Sequence, residues 1–205
     1  MAVPKKGILI TIEGIDGVGK TTHVKMLTQY LRGKGYEVEQ LREPTNGFWG
    51  KKIKNLTKRG RNITPEEESQ WFLKDRMEDV KNNINPALKN AKIVIMDRYY
   101  YSTMAYQGAL GLNVNKIRKE NEKFAPKPDL VIILDVPPEV GLARITNNRK
   151  DKLNYFETLD YQNKVRELFL TMRSYHNVEI LDGNRSMEEV QEEIRKLVEK
   201  LLDFR

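Results

Sequence analysis

The chain has no cysteine among its 205 residues, which excludes disulfides and thiolate metal sites and fits a cytoplasmic setting. It has only two histidines, His23 and His176. Neither has a second imidazole or a carboxylate cluster near it in sequence, so no zinc-type site is expected and both read as ordinary helix positions. No stretch approaches the roughly 20 apolar residues of a membrane-spanning helix. The opening Met1-Ala2-Val3-Pro4-Lys5-Lys6-Gly7 runs into a short strand, where a secretory leader would have an apolar core. Repeats, low-complexity tracts and linkers are missing too, so residues 1–205 are expected to form one domain with a sizeable core.

Charge is abundant, and its sign is biased. The formal net charge is +7 with a pI near 9.4. A basic surface suits nucleic acid, but a site for two phosphorylated ligands needs a local excess of cations as well. Much of the Lys and Arg stands beside Glu, as in Glu192-Glu193-Ile194-Arg195-Lys196, the pattern of a solvated helix face. No nucleic-acid module is recognisable, so nucleic acid is not an expected partner. The Asn-Lys-x-Asp signature of guanine-binding switches is also missing: neither Asn115-Lys116 nor Asn163-Lys164 has the required Asp.

The most informative stretch is Gly14-Ile15-Asp16-Gly17-Val18-Gly19-Lys20-Thr21, followed by Thr22. It fits G-x-x-x-x-G-K-[ST] and follows the apolar Ile8-Leu9-Ile10-Thr11-Ile12. Glycines let several backbone N–H groups turn inward onto phosphate oxygens, and the following helix adds the positive end of its dipole. Lys20 reaches the outer phosphates, and the Thr21 hydroxyl suits Mg²⁺. A nucleoside triphosphate is the expected ligand.

Apolar strands are predicted at Gly7–Ile12, Tyr36–Leu41, Lys92–Met96, Leu130–Leu134 and Val178–Leu181. Helical periodicity marks Thr22–Arg32, Glu66–Asn82, Asp160–Tyr175 and Met187–Leu201. Short apolar strands alternating with amphipathic helices predict an α/β fold, a five-stranded parallel sheet covered on both faces in the P-loop NTPase manner. Ligands then bind beyond the carboxyl ends of the strands. Asp97 ends such a strand, where the Walker B acid that holds Mg²⁺ belongs. Arg98 beside it can fork onto phosphate oxygens. Next, Tyr99 to Gly108 mixes rings, hydroxyls and a carboxamide suited to a base and a sugar, with Ser102 and Tyr106 on one helix face.

These residues resemble the thymidylate (dTMP) kinase family, of bacterial and archaeal type, over nearly the whole length. Its marks occur in order: E-G-I-D-G-V-G-K-T-T, R-E-P, W-F-L-K-D-R, D-R-Y-Y-Y-S-T-M-A-Y-Q-G, L-D-V-P-P-E-V-G-L-A-R, and a basic lid ending in Y-F-E. The resemblance implies in-line transfer of a phosphoryl group from MgATP to dTMP, giving dTDP for dTTP synthesis, by a homodimeric enzyme. It implies that Phe72 stacks on thymine and that Arg76 donates to a base carbonyl. Ser102 and Gln107 would meet the base edge, Tyr106 would lie against the sugar, and Asp16 would accept from the 3′-OH. Arg98 would bridge the two phosphates, and Arg42 and Glu43 would lie at the acceptor phosphate and metal.

Some members carry an arginine in the phosphate loop after the acidic residue, where this chain has Gly17. The basic lid, about residues 143–157, is expected to supply the charge through Arg149, with Lys150 or Lys152 in support. A second departure follows R-E-P: Lys51 and Lys54 stand where many members have Glu and Arg. Phe48 and Trp49 nearby are expected to pack under the next helix. Two alternatives remain: another nucleoside monophosphate kinase, or a deoxynucleoside kinase, for which Glu13 or Glu43 would be the base that a neutral hydroxyl requires.

Overall fold

In the computed structural model, the described residues are 6–59, 62–148 and 158–203. Their strands and helices run β1 (Ile8–Glu13), α1 (Lys20–Gly33), β2 (Val38–Arg42), α2 (Phe48–Arg59) and α3 (Pro65–Asp79). A π-helical turn, Val80–Ile84, leads into α4 (Asn85–Lys89) and β3 (Ile93–Asp97). Then come α5 (Tyr100–Gly108), α6 (Val114–Asn121), β4 (Leu130–Asp135), α7 (Pro138–Asn148), α8 (Leu159–Thr171), β5 (Val178–Asp182) and α9 (Met187–Asp203).

The five strands form one sheet in the order β2-β3-β1-β4-β5, and every neighbouring pair is parallel. β1 lies in the middle, with Ile10 opposite Ile95 on one side and Leu130 on the other. Residues of β1, β3 and β4 are almost all buried, as expected of strands covered on both faces. Edge strands β2 and β5 mix buried and exposed positions. The chain moves to one side of β1 for β2 and β3, then to the other for β4 and β5. That reversal opens a crevice at the carboxyl end of β1, where doubly wound sheets bind ligands.

Local chemistry fixes the helix ends. Thr64 accepts from the Glu67 N–H at the start of α3, with Pro65 as its first residue. Ser186 and Glu189 form a reciprocal capping box at the start of α9. α9 then buries Val190, Ile194 and Val198, four apart, against the core. A smaller apolar cluster, Ile53, Leu56 and Trp71, joins α2 to α3. Trp49 packs against it, whereas Phe48 is 68% exposed and so departs from the expected packing. His23 does lie on a helix, buried, with Nδ1 2.9 Å from Gln191 Oε1. His176 falls in an exposed turn before β5, because the helix predicted to reach Tyr175 ends at Thr171 and tightens into a 3₁₀ turn.

Candidate active site

The loop from Gly14 to Gly19 joins the end of β1 to the start of α1. Ile15 and Val18 are both about 2% exposed, and these two side chains anchor the loop in the core. Gly17 has φ +79°, and a Cβ there would stand 2.1 Å from the Gly141 carbonyl oxygen. A Cβ on Gly141, in α7, would stand 2.6 Å from the Asp16 oxygen. The loop and α7 thus approach so closely that no side chain fits at position 17 in this backbone.

Lys20 is buried at the start of α1, and its ammonium donates to the Ile15 carbonyl at 2.5 Å and the Gly14 carbonyl at 3.1 Å. Burial lowers its pKa to about 7, and Arg98 pushes the same way against the pull of Asp16 and Asp97. Thr21 donates to Asp97 Oδ2 at 2.5 Å. The other Asp97 oxygen, Oδ1, is buried without a hydrogen-bond partner. A hydroxyl beside a carboxylate with an unused oxygen is a hard donor set. It suits a small divalent cation that draws its remaining ligands from phosphate and water. Arg42, ending β2, brings its Nε to 3.7 Å from Asp97.

Arg98 occupies the centre. Its φ is +72°, a left-handed conformation that is costly for a residue with a side chain. Its guanidinium donates to the Gly14 carbonyl at 3.2 Å, Ser102 Oγ at 2.9 Å and the Tyr106 hydroxyl at 3.1 Å, and forms an ion pair with Asp16. Asp16 also accepts from the Tyr106 hydroxyl at 3.0 Å and from Gln162 Nε2. Burial works against the charge on Asp16, but Arg98 and Lys20 hold its carboxyl below the usual range. Asp16, Gly17, Gly19 and Lys20 to Thr22 line a cavity of about 290 Å³ with Arg42, Asp97, Arg98, Arg144 and Ile145.

The residues expected at the acceptor base lie off this cavity. Arg76 in α3 is 1% exposed and donates to both Glu43 oxygens, to Asn121 Oδ1 at 2.6 Å and to Thr103 Oγ1 at 3.2 Å. Four of its five N–H groups are engaged, leaving one on Nη1. Glu43, expected at the acceptor phosphate and metal, is 3% exposed and paired with Arg76. Burial raises its carboxyl while the guanidinium pulls it down. Ser102 stands between Arg98 and Glu13. Phe72 is half-buried against the Trp71 cluster. Gln107 is 1% exposed, and its Oε1 has no hydrogen-bond partner. Arg149, Lys150 and Lys152 lie outside the described residues; the described part of the expected lid, from Ala143, is the end of α7.

Three supporting residues were not singled out for these positions. Gln162 grips Asp16 from α8, with its Oε1 accepting the Asp16 N–H. Asn121 holds Arg76, and Glu13 holds Ser102. The signal for the two amides was present: Gln162 falls in the buried stripe Tyr161, Gln162, Val165, Phe169, and Asn121 lies four after buried Ile117. A polar residue at core spacing marks an internal hydrogen bond.

A glycine loop before a helix, a buried lysine, and a threonine paired with a strand-end aspartate define a nucleotide-binding protein of the P-loop NTPase class. Comparison with known sequences narrows that class. The profile of the thymidylate kinase family matches residues 12–194. A probable thymidylate kinase of Archaeoglobus fulgidus is 48% identical over 198 residues, covering 97% of this chain and 98% of its own length. The thymidylate kinase of Desulfotalea psychrophila is 45% identical, covering 96% of each chain. That of Akkermansia muciniphila is also 45% identical, over 94% of this chain and 91% of its own. The chain belongs to the thymidylate kinase family.

Lys20 gives a measurable consequence. With its pKa near 7, part of the population is neutral at pH 8, and a bound triphosphate favours the charged form. ATP binding at pH 8 should therefore take up a proton, and at pH 6, where Lys20 is already charged, it should take up little. Calorimetry in two buffers of different ionisation enthalpy measures this. Equal uptake at both pH values would disprove the shift.

Proposed function

We propose that this chain transfers the γ-phosphoryl group of ATP to the 5′-phosphate of dTMP, giving dTDP and ADP. The observation that carries the reading is Arg98, held in a left-handed turn after β3 against the Gly14 carbonyl and the Asp16 carboxylate of the phosphate loop. A cation there can touch donor and acceptor phosphates at once. The acceptor is already an anion, so no strong base is needed. Positioning and neutralisation of charge supply the catalysis.

Each residue then has a task. The loop N–H groups and Lys20 hold the β and γ phosphates. Thr21 and Asp97 would hold Mg²⁺, which would neutralise phosphate charge when bound. Arg42 stands at the rim toward the acceptor phosphate. Phe72 stacks on thymine, Arg76 offers its remaining N–H to a base carbonyl, and Gln107 and Ser102 meet the base edge. Asp16 accepts from the 3′-OH, while Tyr106 lies along the sugar. Glu43 acts through Arg76, whose fork it fixes.

Turnover with MgATP against separate acceptors tests the reaction. Strong ADP release with dTMP, less with dUMP, and none with thymidine, AMP or GMP is expected. Turnover with thymidine but not dTMP would replace this reading with a nucleoside kinase.

The lid reading adds Arg149 as a cation closing on the transferring group. Arg149→Ala should lower kcat at least about tenfold, since an arginine in such chemistry is worth roughly 10³–10⁵. A fall of less than about threefold, roughly 0.7 kcal/mol, would remove Arg149 from the mechanism.

We also propose a homodimer, as the family resemblance implies; Phe48 on α2 and Met77 on α3 are exposed apolar side chains that such an interface could cover. Sedimentation at micromolar concentration should give about twice the 24.0 kDa chain mass; a monomer there would reject it.

A further inference from the structure

Glu13 ends β1 with no exposed surface, and its two carboxylate oxygens have different partners. Oε1 accepts the backbone N–H of Tyr99 at 2.7 Å. Oε2 accepts the Ser102 hydroxyl at 2.6 Å. Both partners adjoin Arg98. Tyr99 is the residue after the left-handed one, and Ser102 accepts from Arg98 Nη1 at 2.9 Å. The Arg98 N–H donates to Ile12 at 3.1 Å, so the end of β1 grips the strained turn at two successive residues.

Directionality makes the second contact more than packing. A hydroxyl has one proton. If Ser102 gives it to Glu13, its lone pairs face outward to receive the guanidinium. The order of donation is then Arg98 to Ser102 to Glu13; burial raises the Glu13 carboxyl to about 7, and above that pH it can only accept. We propose that Glu13 is a positioning residue that orients Arg98 toward the transferring phosphate, through the Tyr99 turn and through the Ser102 hydroxyl. Its part in phosphoryl transfer rests on the dTMP kinase reading; its ordering of Arg98 does not.

Glu13→Gln separates the two contacts. The amide oxygen can still accept from Tyr99, but the amide nitrogen presents a donor to Ser102 Oγ. That oxygen then faces two donors, and its own proton has no acceptor. Wild type and variant are compared by the NMR order parameter of the Arg98 Nε–H group and by kinetics with MgATP and dTMP. We expect Arg98 to lose order, kcat to fall about tenfold or more, and KM for ATP to stay within about twofold. Because Glu13 acts through Ser102, Glu13→Gln combined with Ser102→Ala should lose no more than about threefold beyond Glu13→Gln alone.

An unchanged Arg98 order parameter, kcat within about threefold of wild type, or losses that simply multiply would overturn the proposal. If Glu13→Gln does not fold, Ser102→Ala cuts the same relay, and ordered Arg98 in that variant would overturn it as well. A wild-type protein inactive on dTMP would defeat the proposed reaction. The order parameter would still decide whether Glu13 holds Arg98.

Discussion

Two cations, Lys20 and Arg98, share one small buried space at the end of β1, and the site is built around that repulsion. Arg98 helps burial to bring Lys20 down to about 7, while nearby carboxylates keep Arg98 charged. Carboxylates from three places supply the balance, Asp16 in the loop, Asp97 ending β3 and Glu13 ending β1. In a water-poor site each of these charges acts strongly on the others. A phosphoryl group with several negative oxygens suits the same field. The chain thus folds with internal carboxylates offsetting the two cations, and Asp16 is the counter-ion in direct contact with Arg98.

A second buried pair lies on the side where the proposed acceptor would bind. Arg76 and Glu43 lie 33 residues apart in sequence, yet they are almost wholly buried together, with Asn121 and Thr103 taking the remaining contacts. Such a pair is weak evidence for stability, because desolvation opposes the attraction. Its geometric consequence is clearer. It ties the residue after β2 to α3, α5 and α6, and so fixes the wall on which Phe72, Arg76 and Gln107 stand. The pairing puts both Glu43 oxygens on Arg76, although Asp75 stands one residue before that arginine. Asp75 is instead taken by Thr45, at 2.8 Å to its N–H and 2.6 Å to its hydroxyl.

Much of this was legible in the sequence, and the misses fall into three kinds. Every predicted strand stopped at its last apolar residue, whereas the strands continue one residue further, to Glu13, Arg42, Asp97, Asp135 and Asp182. Hydrophobic runs report what is buried on both faces; they end where the sheet meets its ligand-binding crevice, and there the chain turns charged. The strand order could not be read, since periodicity does not say on which side of β1 each strand falls. Gln162, Asn121 and Glu43 were hard to place for another reason. Each is a polar group whose partner is distant in sequence, and only the packed fold joins them.

The approach of Gly17 to Gly141 bears on where catalytic charge can come from. With the Gly141 carbonyl 2.1 Å from a Cβ at position 17, the loop cannot present an arginine after Asp16 without moving α7. Gly17 is therefore more than a residue that lacks a charge, because the backbone against it leaves no room for one. That contact also draws the first turns of α7 against the loop, and so brings Arg144 to the same cavity as Lys20 and Arg98. α7 leads directly into the basic segment that follows Asn148. The bare backbone at position 17 and the presence of Arg144 at the cavity go with a single close contact between the loop and α7.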